Sequence, residues 1–167
     1  MRITFKGDYA LKILLDLSLN YPDKKVGINS VEFVSLGSKY SIGLVQIKDI
    51  SKRQDIPVKY LEQIILILKG AGYVRSKRGP VGGVYLAKPP EKIKVGEIVR
   101  LMEGSTSPIT CVSRTEPSKC NFIRRCPFVE MWTEIRDLTN KIIDGTTFAD
   151  ISEKVKSTSI KSTDYSI

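Results

Sequence analysis

Three cysteines are the side chains of this 167-residue chain that are best suited to bind a metal or to undergo redox chemistry. Cys111, Cys120 and Cys126 follow the spacing C-x8-C-x5-C within one polar segment. A structural zinc site normally shows CxxC pairs and four ligands, and this sequence has neither. Three soft thiolates in one loop suit an iron–sulfur cluster whose fourth ligand comes from elsewhere. Three unligated thiols are the alternative that the spacing leaves open.

A second group of candidate residues lies near the start of a predicted helix over residues 57–70, PVKYLEQIILILKG. Gln pairs bidentately with adenine, and Glu accepts a hydrogen bond from the amino group of cytosine. Basic side chains beside such residues neutralise DNA phosphates. The sequence therefore predicts a DNA-contacting surface whose helical members are Lys52, Arg53, Lys59, Tyr60, Glu62 and Gln63. An ordinary solvent-facing polar stripe is the alternative.

Basic residues also flank a glycine-rich segment, RGPVGG, between two short runs that we expect to pair as a β-hairpin over residues 73–77 and 83–88. Glycines allow a tight reversal, and an arginine at such a tip can enter a narrow minor groove. Lys77 and Arg78 are therefore further candidate DNA contacts. A phosphate-binding nucleotide loop is disfavoured, because the segment lacks both the GxGxxG order and a following GK[ST].

The charge distribution favours the same interpretation. The net charge is +9, and residues 45–94 hold 11 basic and 4 acidic side chains. A basic excess confined to one segment is typical of a nucleic-acid surface. Histidine is absent, which excludes histidine-dependent triads and HExxH zinc sites. No apolar run of membrane-spanning length or signal pattern occurs, so we expect a cytoplasmic protein without membrane contact.

The elements that must position these residues follow from periodicity and from helix and turn signals. Helices are predicted over 9–19, 47–54, 57–70 and 95–103, with two short strands within 28–47. A long amphipathic helix follows the cysteines, and a closing helix includes Ile151 and Val155. An apolar stripe this long requires a partner, and a second copy of the chain is the simplest one. Its members are Val129, Trp132, Ile135, Leu138, Ile142 and Ile143.

Helix, turn, helix and basic hairpin is the order of a winged helix-turn-helix. We expect a mainly α fold with a small β-wing and a long dimerisation helix. The predicted domains are a DNA-binding domain over 1–94, with an insertion at 27–44, and a unit over 95–156 that holds the cysteine-containing sensor loop and the dimerisation helix. Residues 157–167 are rich in Ser and Thr, so a disordered tail is expected there.

Three stretches of the chain carry a resemblance to a known family. MRITFKGDYALKILLDLSL, the segment from IKDISKRQDIPVKYLEQ through RGPVGGVYLA to VGEIV, and the three cysteines followed by MWTEIRDL resemble the dimeric winged-helix regulators that include the repressor IscR and the nitric-oxide sensor NsrR. The resemblance places Lys59, Glu62 and Gln63 at base-contacting positions and Arg78 at the wing arginine. It places Cys111, Cys120 and Cys126 at the ligand positions of a [2Fe-2S] or [4Fe-4S] cluster.

Two departures from the family pattern concern the insertion and the fourth cluster ligand. Residues 27–44 stand where relatives have a short connection. Relatives similar to the biogenesis repressor use a histidine shortly after the third cysteine, whereas CPFVEMW offers none. In nitric-oxide-sensing relatives, an acidic residue on the first helix of the other subunit completes the cluster. Asp8 stands at the matching position, and its alternative role is a helix-start residue that favours the macrodipole.

Three functional hypotheses follow. The first is a homodimeric transcription regulator, a repressor or activator, that binds double-stranded DNA at a near-palindromic operator and is controlled by an iron–sulfur cluster sensing redox state, nitric oxide or cluster supply. The second is a cluster-free regulator of the same fold that responds to thiol oxidation, a metabolite or a protein partner. The third is a thiol-dependent enzyme or metal carrier with an incidental basic face. We disfavour this hypothesis and expect no enzymatic activity.

Overall fold

A computed structural model of the chain describes residues 3–22 and 43–163. Within those ranges the secondary structure includes six α-helices, three short 3-10 turns and one antiparallel pair of strands. None of the helices described is long and apolar enough to span a membrane. In chain order the elements are α1 (Phe5–Leu19), α2 (Ile47–Gln54), α3 (Val58–Gly70), β1 (Val74–Lys77), β2 (Gly83–Leu86), α4 (Val95–Glu103), α5 (Val129–Gly145) and α6 (Phe148–Thr163).

The helix-turn-helix is built on α1. This helix begins earlier than the predicted residue 9, because the Thr4 hydroxyl accepts a hydrogen bond from the backbone N–H of Gly7 and caps its first turn. Apolar residues at helical spacing then face α3 across a common core. The buried members on the two helices are Ala10, Ile13, Leu14 and Leu17, and Leu61, Ile64, Ile65 and Leu68.

The turn between α2 and α3 is held by local polar contacts. Asp55 adopts a left-handed conformation with φ 51° and ψ 47°, which an Asp tolerates better than most residues. The Ser51 hydroxyl donates a hydrogen bond of 2.6 Å to the carbonyl of Ile56, and Ile56 is buried. These contacts set the angle at which α3 leaves the turn.

One buried carboxylate fastens α2 to α1. Asp16 is only 2% exposed, and Arg53 donates two hydrogen bonds of 2.8 and 2.9 Å to its two oxygens. The amide of Gln54 donates a third at 3.1 Å. Because a buried carboxylate is stable only when it is well hydrogen-bonded, this cluster fixes the position of the last turn of α2.

The predicted hairpin is confirmed and forms the wing. Val74 pairs with Leu86, and Lys77 pairs with Gly83. Val45 adds a single bridge to Val84 on the outer edge of the wing. A Cβ on Gly83 would collide with the carbonyl of Val45, so this close approach of two backbones requires glycine.

The buried cluster that α1 and α3 share also includes residues after position 94. Ile98 and Met102 of α4 and Phe148 of α6 belong to the same buried cluster as α1 and α3. The backbone N–H of Phe148 donates a hydrogen bond of 3.0 Å to the carbonyl of Ile93. The C-terminal chain thus returns to the winged module, and the local sequence pattern did not show this packing.

The predicted apolar stripe of α5 divides into two faces. Val129, Trp132 and Ile143 are half-buried by the chain itself, whereas the other predicted members remain exposed. The sequence pattern alone did not show which side the rest of the chain covers. Together with Phe128, immediately before the helix, the exposed apolar residues of α5 are Met131, Ile135, Leu138 and Ile142.

Two further predictions concern the ends of segments. Residues 157–163, which fall in the expected tail, belong to α6, which ends at Thr163. The hydroxyls of Ser157 and Thr158 both donate to the carbonyl of Lys154, so these residues satisfy their polar groups within the helix. Of the strands predicted within 28–47, residues 28–42 lie outside the described residues, and only Val45 makes a bridge in the remainder. The 27–44 insertion also falls mostly outside them.

Replacing Asp16 with Asn should lower the free energy of unfolding by about 1–3 kcal/mol, because Arg53 loses its charged acceptor and Asn places an amide donor near it. Chemical denaturation followed by circular dichroism measures the change. Glu153→Gln, at an exposed position of α6, should change it by no more than about 0.5 kcal/mol. Equal effects of the two substitutions would contradict the role given to Asp16.

Candidate nucleic-acid interface and cysteine loop

The outer face of α3 presents the polar residues that the sequence singled out. The helix buries its apolar side in the core, so residues at the remaining angles must face solvent. Four of the predicted DNA contacts are exposed there, and Tyr60 retains 55% of its surface. They are Lys59, Tyr60, Glu62 and Gln63.

A groove of about 450 Å³ separates α3 from the wing. It brings together Glu62, Lys77 and Arg78, which are 15 or 16 residues apart in sequence. Gln46 and Lys48, at the start of α2, also line the groove and were not among the predicted site residues. Only their position in the sequence could have indicated them, because they stand at the start of a short helix that precedes α3.

The charges of this face are available for an external anion. Within the described ranges, Lys52, Lys59, Lys77 and Arg78 form no ion pair. Glu62 is the acidic side chain that lines the groove. Several free cations suit the phosphate backbone of a nucleic acid. One carboxylate among them suits a hydrogen-bond donor that lies beside that backbone.

Arg53 and Tyr60 have partners within the fold. The hydrogen bonds to Asp16 raise the pKa of Arg53 above its ordinary value, so its guanidinium is held at the contact between α1 and α2. The Tyr60 ring lies edge-on to Tyr9 with centroids 6.5 Å apart, and Tyr9 lies 6.0 Å from Phe5. These rings link the start of α3 to the start of α1.

The first half of the cysteine loop, which spans residues 104–126, is attached to α5. Arg136 donates a hydrogen bond of 2.6 Å to the carbonyl of Val112. The Thr106 hydroxyl donates one of 2.7 Å to Asn140, and Arg114 forms a 2.8 Å ion pair with Asp137. The pKa of Asp137 is lowered, chiefly by its hydrogen bond with Arg136. This network fastens the first half of the loop to α5.

The three thiols occupy separate positions in this loop. Cys111 lies in a short 3-10 turn, Thr110–Val112, whereas Cys120 precedes and Cys126 follows a second such turn, Ile123–Arg125. All three are free and partly exposed. Among residues 3–22 and 43–163, no three Cys, Asp or Glu side chains come together as a metal-binding group. Thiolates are the donor type that an iron–sulfur cluster requires, but the described residues do not bring the three thiols together.

Asp8 lies in the first turn of α1, where its carboxylate forms a 2.7 Å ion pair with Lys12. The start of the same helix is bound from α4. Glu103 accepts hydrogen bonds of 3.0 Å from the backbone N–H and 2.7 Å from the hydroxyl of Thr4. Since Glu103 directly precedes the cysteine loop, this contact joins the loop to α1.

Comparison with known proteins agrees with this architecture. A family model named Rrf2, described as an iron-dependent transcriptional regulator, matches residues 33–154. The chain belongs to the Rrf2 family. The regulator CymR of Bacillus subtilis is 31% identical over 152 residues, which cover 91% of this chain and 90% of that protein. IscR of Yersinia pseudotuberculosis is 30% identical over 151 residues, covering 90% of this chain and 79% of that protein.

The solved structure of CymR, the global cysteine regulator of B. subtilis, superposes with a TM-score of 0.66 at 28% identity, covering 92% of this chain and 98% of that one. The expected winged-helix fold and the resemblance to IscR-type regulators are therefore confirmed. The similar proteins CymR and IscR are helix-turn-helix transcriptional regulators rather than enzymes. The chain is accordingly a transcriptional regulator, and DNA is the partner expected for its family.

Gln63→Ala should weaken binding to the specific operator by about 1–3 kcal/mol, because it removes an exposed side chain that we expect to contact a base. Binding to unrelated duplex DNA should change much less. Fluorescence anisotropy on both duplexes at one salt concentration measures the two losses. Equal losses would mean that Gln63 does not contact bases.

Proposed function

We propose that this Rrf2-family regulator binds a near-palindromic operator as a homodimer in the cytoplasm and that its cysteine loop controls the binding. The observation that carries the proposal is the groove between α3 and the wing, where exposed polar residues of α3 stand beside free basic residues. A helix with base-contacting side chains, flanked by a basic hairpin, fits a major groove and its adjoining backbone.

The residues of this face divide by role. Glu62 and Gln63 contact base edges, while Lys52, Lys59 and Lys77 neutralise phosphates. Arg78 enters the minor groove from the wing tip. Arg53 acts through Asp16 and holds α2 in place, and Tyr60 is supported by Tyr9. The two positioning contacts keep α3 at a fixed angle to the rest of the module.

The homodimer is supported by the exposed apolar face of α5. Ile135, Leu138 and Ile142 are 41%, 57% and 59% exposed and lie on one side of the helix. Apolar side chains at such spacing normally bury against another helix. A second copy supplies one, and two winged modules related by a two-fold axis match an operator with inverted half-sites.

The position of the cysteine loop allows it to influence both dimer formation and DNA binding. Arg136 and Asn140 connect it to the helix that would form the dimer, and Glu103 connects it to α1. A change in the loop therefore reaches the dimer interface and the reading module through direct contacts. Control of DNA affinity requires that the two states of the loop differ in these contacts.

An iron–sulfur cluster is our first candidate for the signal-binding group. Cys111, Cys120 and Cys126 would hold it, with Asp8 of the other subunit as the fourth ligand. When bound, the cluster supplies redox and nitric-oxide chemistry. The separate positions of the thiols mean that the loop must close for all three to share one group.

Control by the thiols themselves is the second candidate. Two observations favour it: in the described residues the three cysteines do not come together as a metal-binding group, and the similar protein CymR is a global cysteine regulator in B. subtilis. Partly exposed thiols are accessible to oxidants or small molecules. The DNA-binding surface is the same under either candidate.

Leu138→Asp should produce monomers or aggregates, because it introduces an unpaired charge into the apolar seam of the dimer. Analytical ultracentrifugation measures the species. Val81→Asp is the matched control, since Val81 is 80% exposed and lies in the turn at the tip of the wing. That variant should remain a dimer, and a well-behaved dimer of the Leu138 variant would contradict the assignment of α5.

Protein purified without oxygen should absorb visible light and contain iron and sulfide, because a cluster on three thiolates has charge-transfer bands. Replacing any one of the three cysteines with Ala should abolish or strongly reduce this absorbance. Asp8→Ala should still assemble the cluster but lose it faster in air, since a carboxylate is a hard ligand among soft ones. A colourless protein that binds operator DNA would contradict the cluster and support the thiol-controlled regulator.

A further inference from the structure

Leu66 is the most exposed apolar side chain of α3, with 65% of its surface accessible to solvent. The other exposed apolar side chains of this helix are Val58, at 40%, and Tyr60, at 55%. The chain neighbours of Leu66 behave differently, since Ile65 lies in the core and Ile67 packs against it. Among the described residues, Leu66 is not a member of the buried cluster. Core packing therefore does not explain a leucine at this position.

Leu66 stands in the middle of the outer face of α3. An α-helix turns about 100° per residue, which places Leu66 about 40° from Glu62 on one side and about 60° from Gln63 on the other. All three side chains are exposed. Leu66 follows the other two by about 4.5 to 6 Å along the helix axis, given the rise per residue. The next outward position is Gly70, where an added Cβ would meet nothing within 4 Å, so the face is open beyond Leu66.

The wing holds this part of α3 in place. Lys69, which stands one turn after Leu66, donates a hydrogen bond of 2.8 Å to the hydroxyl of Ser76 on β1. Ser76 also lines the groove between α3 and the wing. In the proposed function the start of α3 and the wing both contact DNA. Leu66 therefore lies between two elements that are held at the same DNA surface.

The surroundings of Leu66 favour a small apolar group over a protein partner. Protein interfaces form on contiguous apolar patches, whereas the neighbours of Leu66 on this face are polar. They are Lys59, Glu62 and Gln63. In the major groove of DNA, the base edges present hydrogen-bond donors and acceptors together with one apolar group, the C5-methyl of thymine. A single aliphatic side chain matches a single methyl group in size and in chemistry.

We propose that Leu66 recognises thymine by packing on its C5-methyl group in the major groove. Successive bases of a strand stand about 3.4 Å apart, so this thymine lies within about two base pairs of the bases that Glu62 and Gln63 contact. The contact removes two apolar surfaces from water and distinguishes thymine from cytosine, which lacks the methyl group. The inference rests on the proposed DNA-binding function and adds a base that the polar residues do not specify.

Replacing thymine with deoxyuridine tests the contact, because the two bases pair identically and differ only in the methyl group. Each thymine of one operator half-site is replaced in turn, and fluorescence anisotropy measures the dissociation constant. For the original protein, one of these replacements should raise it about 4-fold, as expected for one buried methyl group. For Leu66→Ala, the same replacement should change it by less than about 2-fold, because the apolar partner of the methyl group is absent.

5-Methylcytosine provides a second comparison, because it carries a methyl group at the same ring position as thymine. The T·A pair identified by the first experiment is replaced with C·G, with and without methylation of that cytosine. Methylation should strengthen binding by the original protein and should have no effect on Leu66→Ala. This comparison separates the methyl group from the hydrogen-bonding groups of the base pair.

Two further variants control for volume and for general effects of truncation. Leu66→Met keeps an aliphatic side chain of similar volume, and it should retain the discrimination between thymine and deoxyuridine. Leu101→Ala makes the same truncation at a position of α4 that is 37% exposed and lies outside the proposed DNA-contacting face. It should retain the full discrimination. Circular dichroism should show the same fold for every variant.

The possible failures of this proposal and of the proposed function are distinct. If no thymine methyl group affects binding, or if Leu66→Ala keeps the full effect, the thymine contact is wrong while specific DNA binding stands. Equal losses of Leu66→Ala on the operator and on unrelated duplexes would assign Leu66 to the sugar–phosphate backbone and overturn base recognition by it. An original protein that prefers no sequence would overturn the proposed function itself.

Discussion

The position of α3 depends on the buried carboxylate of Asp16. Its hydrogen bonds with Arg53 and Gln54 fasten the end of α2 to α1, and the turn at Asp55 leads from there directly into α3. A buried carboxylate without these donors would be costly, so the contact tolerates little displacement. The angle of the exposed face of α3 is therefore set on α1, away from that face.

The same helix receives contacts from the C-terminal half of the chain. Its first turn is bound by Glu103, and α4 and α6 pack along its length. The cysteine loop begins next to Glu103 and is attached to α5 by Arg136. Helix α1 therefore contacts α3 on one side and, through Glu103, the end of α4 from which the cysteine loop begins. If the loop controls DNA binding as proposed, α1 is the physical route between them.

Local patterns were sufficient to predict much of this architecture. The helical spacing in residues 57–70 and the glycines around the wing turn specify α3 and the hairpin, because these signals depend on nearby residues. Asp16 was different, since a charge within an apolar helix gives no sign of a partner 37 residues away. The two faces of α5 and the return of Phe148 to the core also depend on long-range packing, which periodicity does not report. The separation of the thiols is likewise a property of the folded loop.

Selection of bound sequences from a pool of random duplexes tests the central claim most directly. A homodimer with two related winged modules should enrich an inverted repeat whose half-sites are about one helical turn, or a multiple of it, apart. Base contacts by α3 should make each half-site conserved, and the wings should favour a narrow minor groove beside it. Enrichment of a single unrepeated site, or of no sequence at all, would contradict a dimeric regulator that binds DNA through this face.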